Sequence, residues 1–439
     1  MSDEVAMFST QQVVDAREYL RPQTRRTTTS AMPAKSTTPS PRDARFALTV
    51  LTAMNLLNYL DRWVPSAVKD LFKADLDMTD AQTSLPTFAF VVVYMLASPV
   101  FGGVADRFSR RWLIAAGVAL WSLATAFAAA AQGFVVFLIA RALVGIGEAA
   151  YATISPSLIG DFYAPAARNR ALTIFYVASP VGSALGFTLG GLIGAHYGWR
   201  AAFLVCGLPG LLAAGLALRI KEPPRGGMDD APLSASPPSW PDALKALAKN
   251  RLFVVTVAGY TLVTFASGGM ADWFPTFLSR YRGLGVDEAG SLVGTTVVAG
   301  GLGGTIVGGW LGDRLQKVTR QPYLALSAWA MLPATLFGFL AITLHGTRTI
   351  AACLFLCQFF MWFYNGPVNT ILVNCTDASM RARAFSVSIL AIHLLGDAIS
   401  PLIMGAISDA TGNLWNGVVL APITLALGML IWAYGWRRI

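Results

Sequence analysis

Apolar runs of about twenty residues, the length at which a helix crosses a hydrocarbon core, recur along this chain. Twelve can be read, near 45–69, 84–104, 112–131, 134–158, 171–194, 200–219, 252–273, 288–311, 322–343, 349–374, 384–406 and 416–436. A Pro/Gly/Ser-rich connection over 220–251 divides them six and six. Only 13% of residues are charged and 55% are hydrophobic, where a soluble domain carries about 25% charged residues. The expected fold is an all-α membrane protein, with twelve transmembrane helices in two pseudo-symmetric six-helix bundles. The expected organisation is a disordered cytoplasmic tail (1–43), an N-terminal bundle (44–219), a cytoplasmic linker (220–251) and a C-terminal bundle (252–439). Within the linker, "WPDALKALAKN" suits a short interfacial helix.

The tail opens with Asp3 and Glu4 and has no apolar core, so it does not read as a signal peptide. Net charge is +9. Of the 33 Lys and Arg, 25 fall in the tail, the linker, the C-terminus and the even-numbered connections, and 6 fall on the opposite side. Basic residues concentrate on the cytoplasmic side of membrane proteins. Both termini are therefore expected in the cytoplasm, with the chain multi-pass in the cell (inner) membrane. The basic excess is topological, and no nucleic-acid partner is expected. Cys206, Cys353, Cys357 and Cys375 lie in apolar runs and suggest neither disulfides nor a metal site.

The halves repeat. "GGVADRF" (Gly102–Phe108) follows span 2 and "GGWLGDRL" (Gly308–Leu315) follows span 8, while "RNRA" before span 5 is echoed by "RARA" before span 11. Two six-span halves of one plan imply a transporter with a midplane site between them. The segment "GGVADRFSRR" resembles the loop 2–3 signature of the major facilitator superfamily, with Ser109 in place of the usual Gly. Within that superfamily the chain resembles the spinster family through "NYLDRW", "RALVGIGEAAYATISPSLIGDFY", "RNRALTIFYVASPVGSALGF" and "IHLLGDAISPLIMGAISD". The resemblance implies a proton-linked or facilitative carrier of lysolipids or sphingosine-phosphate-like lipids. It also implies that Asp106 and Arg107 pair with neighbouring helix ends and steady the outward-facing state. Arg111 lies in the same loop, and Asp313 and Arg314 are the matching residues of the second half. Positive-inside anchoring alone would account for the arginines.

Charges deep in a span are costly and persist where they serve a function. Five are read at depth: Asp61, Arg62, Arg141, Glu148 and Asp397. Arg141 and Glu148 are seven residues apart in "ARALVGIGEAAY", so they share a helix face. Asn55, Asn58 and Arg62 form a stripe on span 1, with Asp61 beside it. Depth along the helices lets Arg141 meet Asp61 and leaves Glu148 nearer the midplane. Glu148 and Asp61 are the expected proton-coupling residues, since a carboxylate there balances desolvation against nearby cations. Arg62 and Arg141 are the expected counter-ions or anion hooks. The alternative is an ion-paired cluster that only locks spans 1 and 4 together.

The second half offers softer polarity: Tyr260 and Thr264 on span 7, and Gln358, Trp362, Asn365 and Asn369 on span 10. His393 and Asp397 are i, i+4 on span 11. A polar stripe with aromatic walls suits an amphipathic ligand; interhelical hydrogen bonding explains the asparagines equally well. In span 5, Gly182, Gly186, Gly190 and Gly194 recur every four residues and permit close packing. The expected function is proton-coupled transport of an amphipathic anion by alternating access, as a monomer among membrane lipids, with no cofactor beyond the proton. A symporter of small organic anions such as sugar acids is the nearest alternative, and a non-transporting sensor a remote one. No nucleophile–base set, metal cluster or phosphate loop suggests an enzyme.

Overall fold

A computed structural model describes residues 40–105, 107–225, 239–315, 321–376 and 380–439. Residues 1–39 of the tail, Asp106 and residues 226–238 of the linker lie outside the described residues. Every regular element among the described residues is helical. Ten helices are long and apolar enough to cross a membrane. One of them, Arg170–Ala217, contains predicted spans 5 and 6, divided where Gly198 adopts φ 82°. Span 1 (Pro41–Ala67) is a further helix, made less apolar by Asn55, Asn58, Asp61 and Arg62. These account for the twelve runs.

The remaining spans are Asp80–Ala105 (2), Arg110–Ala128 (3), Phe134–Phe162 (4), Arg251–Arg282 (7), Val286–Leu315 (8) and Pro322–Thr343 (9). Span 10 is Thr347–Met361 followed by a 3₁₀ turn and Asn365–Asn374. Span 11 is Arg381–Ile392, a π-helical turn at His393–Asp397, and Ile399–Thr411. Span 12 is Leu414–Val418 followed by Leu420–Arg438. Local chemistry fixes the ends. Ser40 accepts from the Asp43 N–H with Pro41 at the first helical position, and Gly283 ends span 7 in the left-handed conformation at φ 66°. The linker carries a helix, Trp240–Lys249, capped by Ser239. Asn250 then caps span 7 and donates to the Cys375 carbonyl at 2.7 Å, tying the linker to the end of span 10.

Span 5 packs most closely on span 1. A Cβ on Gly182 would meet the Leu56 carbonyl oxygen at 2.4 Å, and one on Gly186 the Leu60 oxygen at 2.3 Å. Gly190 and Gly194 continue the seam against Val64 and Val68. Without a hydrophobic drive between helices in lipid, such main-chain approach is what holds spans together.

The halves meet at one end, where spans 5 and 8 close on each other. Gly290 lies against the Phe187 carbonyl, Gly294 against the Ala184 carbonyl, and Gly191 against the Val286 carbonyl. Span 2 packs there on the last segment of span 11, with Gly405 against the Asp80 carbonyl. At the other ends of spans 2 and 8, a Cβ on Gly103 or Gly309 would meet nothing within 4 Å. The bundles join at the end carrying the 1–2, 7–8 and 11–12 connections.

Gly186→Val is expected to destabilise the protein by about 1–3 kcal/mol or more, read as a lower unfolding midpoint in detergent. Gly103→Ala, with no neighbour to displace and a better helix former in place of Gly, leaves the midpoint unchanged or raises it.

Candidate functional site

Glu148 is the central residue of the helix Phe134–Phe162 and is fully buried. Small residues around it bring neighbouring helices close. A Cβ on Gly145 would strike the Phe90 carbonyl of span 2 at 2.6 Å, and one on Gly147 the Gly117 carbonyl of span 3 at 2.5 Å. Into this narrow space span 1 delivers Arg62, whose Nη2 donates to Glu148 Oε2 at 2.6 Å. Arg62 keeps 22% of its side chain accessible, whereas Glu148 keeps none. The rings of Tyr59, Phe90 and Tyr94 surround the Arg62 guanidinium at 4.8, 5.0 and 5.5 Å. Arg141 reaches the same Phe90 ring at 5.5 Å. One aromatic face thus holds two guanidiniums near one carboxylate, an arrangement that cation–π attraction supports.

Asp61 and Arg141 make no direct contact, yet each is the opposite charge that acts most strongly on the other. Asp61 Oδ2 accepts from the Thr125 hydroxyl of span 3 at 2.6 Å, and no ion pair joins it to Arg141. The reason is angular: one residue along a helix turns about 100°, so Asp61 points to span 3 while Arg62 points to span 4. Polar atoms without a hydrogen-bond partner collect here: Asn58 Nδ2, Asp61 Oδ1, Arg62 Nε, Arg141 Nε and Nη1, and Glu148 Oε1. Buried polar atoms are nearly always satisfied, and a cluster of exceptions marks capacity for a proton, water or ligand. Asn55 is instead consumed structurally, donating to the Phe175 carbonyl at 2.8 Å and to Ser179 at 3.0 Å.

In the second half the residues divide into two groups. Tyr260 packs on Tyr364 at 5.1 Å, and Tyr364 on Trp432 at 5.9 Å. The Thr264 hydroxyl donates back to the Tyr260 carbonyl. Beside them the π-helical turn carries His393 and Asp397, 2.9 Å apart and partly accessible. Such turns concentrate at functional sites. Gly268 of span 7 allows this approach, since its Cβ would lie 2.5 Å from the Asp397 Cα. Trp362, Asn365 and Asn369 belong to a different seam, between spans 8 and 10. Trp362 covers Gly301 and Gly304 and donates to Gln358 at 3.2 Å. Asn365 reaches Thr305 at 3.5 Å, and Asn369 donates to the Asn365 carbonyl at 2.7 Å.

Among the residues singled out for gating, Asp106 lies outside the described residues. Arg107 is exposed and Arg111 half-buried. Asp313 accepts from Tyr323 at 3.4 Å, and the Arg314 guanidinium covers the Trp310 ring at 3.9 Å. The arginine that joins elements is Arg110, which pairs with Asp161 at the end of span 4 and with Glu222 beyond span 6. Burial pushes the Glu222 carboxyl up. Hydrogen bonds from the Ser109 hydroxyl and from the Arg110 main chain and side chain outweigh that and leave it below the ordinary carboxylate range. Ser109, the departure from the loop signature, thus has a partner of its own at 2.6 Å. A cavity of about 350 Å³ lies under this loop, lined by Gly102, Arg110, Ser157, Asp161 and Arg225 among others.

Three further charges, not singled out from the sequence, are buried at the end where the halves meet: Lys69, Asp80 and Asp272. Asp272 lies at the end of predicted span 7 and Lys69 at the end of predicted span 1, and the two pair across the halves. An acidic residue inside the run 252–273 was the available signal.

A carboxylate with a lowered folded-state pKa contributes stability above its unfolded pKa and loses it as pH falls through the folded value. Glu222→Gln is therefore expected to cost about 1–2 kcal/mol at neutral pH. The difference from the native protein should begin to shrink as pH falls below about 4 and disappear at lower pH, once the folded-state carboxyl is protonated, as read from unfolding midpoints across a pH series.

The model of the Major Facilitator Superfamily matches residues 51–396. Protein spinster homolog 1 of Xenopus tropicalis is 34% identical over 381 residues, which cover 82% of this chain and 72% of that protein. Protein spinster of Drosophila melanogaster is 35% identical over 383 residues, covering 84% and 62%. Among solved structures, a bacterial homologue of the human lysosomal transporter spinster, in an inward-facing and occupied conformation, has a similar fold. Its TM-score is 0.80 at 22% identity, covering 91% of this chain and 98% of that one.

Proposed function

The chain belongs to the spinster family of the major facilitator superfamily and is a membrane transporter, and from that premise we propose that it couples protons to the movement of an amphipathic anion by alternating access. The observation that carries this reading is the Arg62–Glu148 contact, with a partly accessible arginine side chain, a fully enclosed carboxylate and unsatisfied polar atoms on both. Removing one member of a buried pair strands the other charge. An anionic headgroup that takes Arg62 therefore leaves Glu148 uncompensated unless it gains a proton. Proton and anion then enter together, and the charge of the site stays balanced. The reverse order works by the same logic: protonation of Glu148 frees Arg62 for the anion.

Asp61 is the second proton-holding carboxylate in this proposal, with the Thr125 hydroxyl donating to it when it is charged and able to accept from it when it is protonated. Arg141 is a fixed cation whose free N–H groups hold the anion in place. Asn58 supplies a further donor. Tyr260, Thr264 and the aromatic side chains around Tyr364 form the wall against the apolar body of the substrate. Trp362, Asn365 and Asn369 shape that wall from the span 8–10 seam. Their polar groups mostly bond within their own helix, which favours an apolar occupant such as a lysolipid or sphingosine-phosphate-like chain over a hydroxylated sugar. In this proposal the protein lies in the cell (inner) membrane with both termini cytoplasmic, so the end where the bundles join faces away from the cytoplasm and the end carrying the linker faces it. Asp106, Arg107 and Arg111, with Asp313 and Arg314 in the other half, act at that end when it closes. Membrane lipids are its surroundings and it works as a monomer.

Reconstitution into proteoliposomes with an imposed pH gradient tests this. Glu148→Gln is expected to reduce gradient-driven uptake about tenfold or more; undiminished uptake would show that Glu148 does not carry the coupling proton. Across a homologous series, affinity should rise with acyl-chain length by up to about 0.8 kcal/mol per buried methylene. Affinity independent of chain length would point instead to small organic anions, for which the two arginines are equally suited.

A further inference from the structure

At the closed end a second buried pair bridges the two bundles. Lys69, just past span 1, donates to Asp272 of span 7, and each side chain is about 1% accessible. The surroundings complete both groups. Ser66 donates to the other carboxylate oxygen at 2.9 Å, and Ser84 of span 2 lies 3.4 Å from both Lys69 Nζ and Asp272 Oδ2. The ammonium sits 3.9 Å above the Trp273 ring, and Trp273 is braced by donating to the Pro401 carbonyl of span 11 at 2.8 Å. Around this dry centre runs a wetter ring. Arg280 of span 7 binds Asp70 and Asp80, Lys73 binds Asp80 at 2.6 Å, Ser408 binds Asp80, and Asp409 accepts from the Asp80 and Ala81 N–H groups at 2.8 Å. Lys73, Arg280 and Asp70 keep 25–29% of their side chains accessible, while Asp80, which they surround, keeps 4%; the Arg280–Asp70 pair, accessible on both sides, contributes little by itself.

Lys69 and Asp272 stand on opposite bundles, so they are dry and paired only while this end is closed. Once the bundles separate here, water reaches both. Pairing and hydration are then competing large quantities with a small difference between them. An apolar contact at the same place has no such competitor, because water gains nothing from exposing it. We propose that the Lys69–Asp272 pair is a reversible latch: it holds this end shut while keeping the free energy of closure low enough for the end to reopen. The latch rests on the alternating-access reading but not on the identity of the substrate or on Glu148.

The two ways of removing the charges have opposite consequences. Asp272→Asn strands a buried ammonium and drives the end open. The double variant Lys69→Met/Asp272→Leu leaves no charge to hydrate and holds the end shut. The measurement is the distance distribution between spin labels at Ala74 and His345, exposed positions on opposite bundles, with the four native cysteines replaced. No substrate or pH gradient is needed, so this readout is independent of the coupling test. For Asp272→Asn the ratio of long to short distances should rise on the order of a hundredfold over the native protein. The double variant should show short distances alone and a large loss of uptake. Distributions for Asp272→Asn that match the native protein, or a double variant that opens, would overturn the latch. If Asp272→Asn does not fold, the double variant decides the question by itself.

Discussion

The contact between Arg62 and Glu148 joins spans 1 and 4 at the heart of the N-terminal bundle, and much of that bundle is arranged to make it possible. A guanidinium and a carboxylate at this depth cannot be left facing lipid. They must be turned inward, and the helices around them must come close enough to exclude lipid. Gly145 and Gly147 let span 4 approach spans 2 and 3, and Gly182 and Gly186 seat span 1 on span 5. Aromatic rings then take the place of a second counter-ion around Arg62. The result is a charged centre held in place yet incompletely satisfied, which is the condition for a group that changes partners during a cycle.

What could be read from the amino acids alone follows the periodicity of a helix. The twelve spans, the glycine seam of span 5 and the shared face of Arg141 and Glu148 are all consequences of counting along one chain. Contacts between chains of side chains on different helices are not. Depth brought Arg141 and Asp61 to one level, but rotation about span 1 turned Asp61 to Thr125 and gave Glu148 to Arg62. Likewise the polar stripe of span 10 was visible, but its division from Tyr260 and Thr264 depends on how span 8 lies against it. Arg110 could not be told from Arg107 and Arg111 because its partner Glu222 comes from a distant segment.

The two bundles share a plan and differ in chemistry. The first concentrates formal charge around Glu148, and the second presents aromatic surface with one His–Asp pair on a π-helical turn. An approximate internal symmetry of backbone thus supports a polarised interior. One wall is suited to a headgroup and a proton, and the other to a hydrocarbon body. The Lys69–Asp272 contact adds charge at a place where neither wall is concerned, between the bundles themselves.

The seam between spans 5 and 8 is built from glycines facing carbonyl oxygens. A surface made largely of main chain inside rigid helices has few rotamers to freeze when it closes. The conformational entropy that long side chains would surrender on each closure, up to about 2 kcal/mol apiece, is largely avoided. In the proposed alternating-access cycle, closing and parting along this seam would resemble the meeting of two smooth rods more than the docking of two protein surfaces. Its speed would then be set by the motion of whole bundles, with little waiting for side chains to find their places.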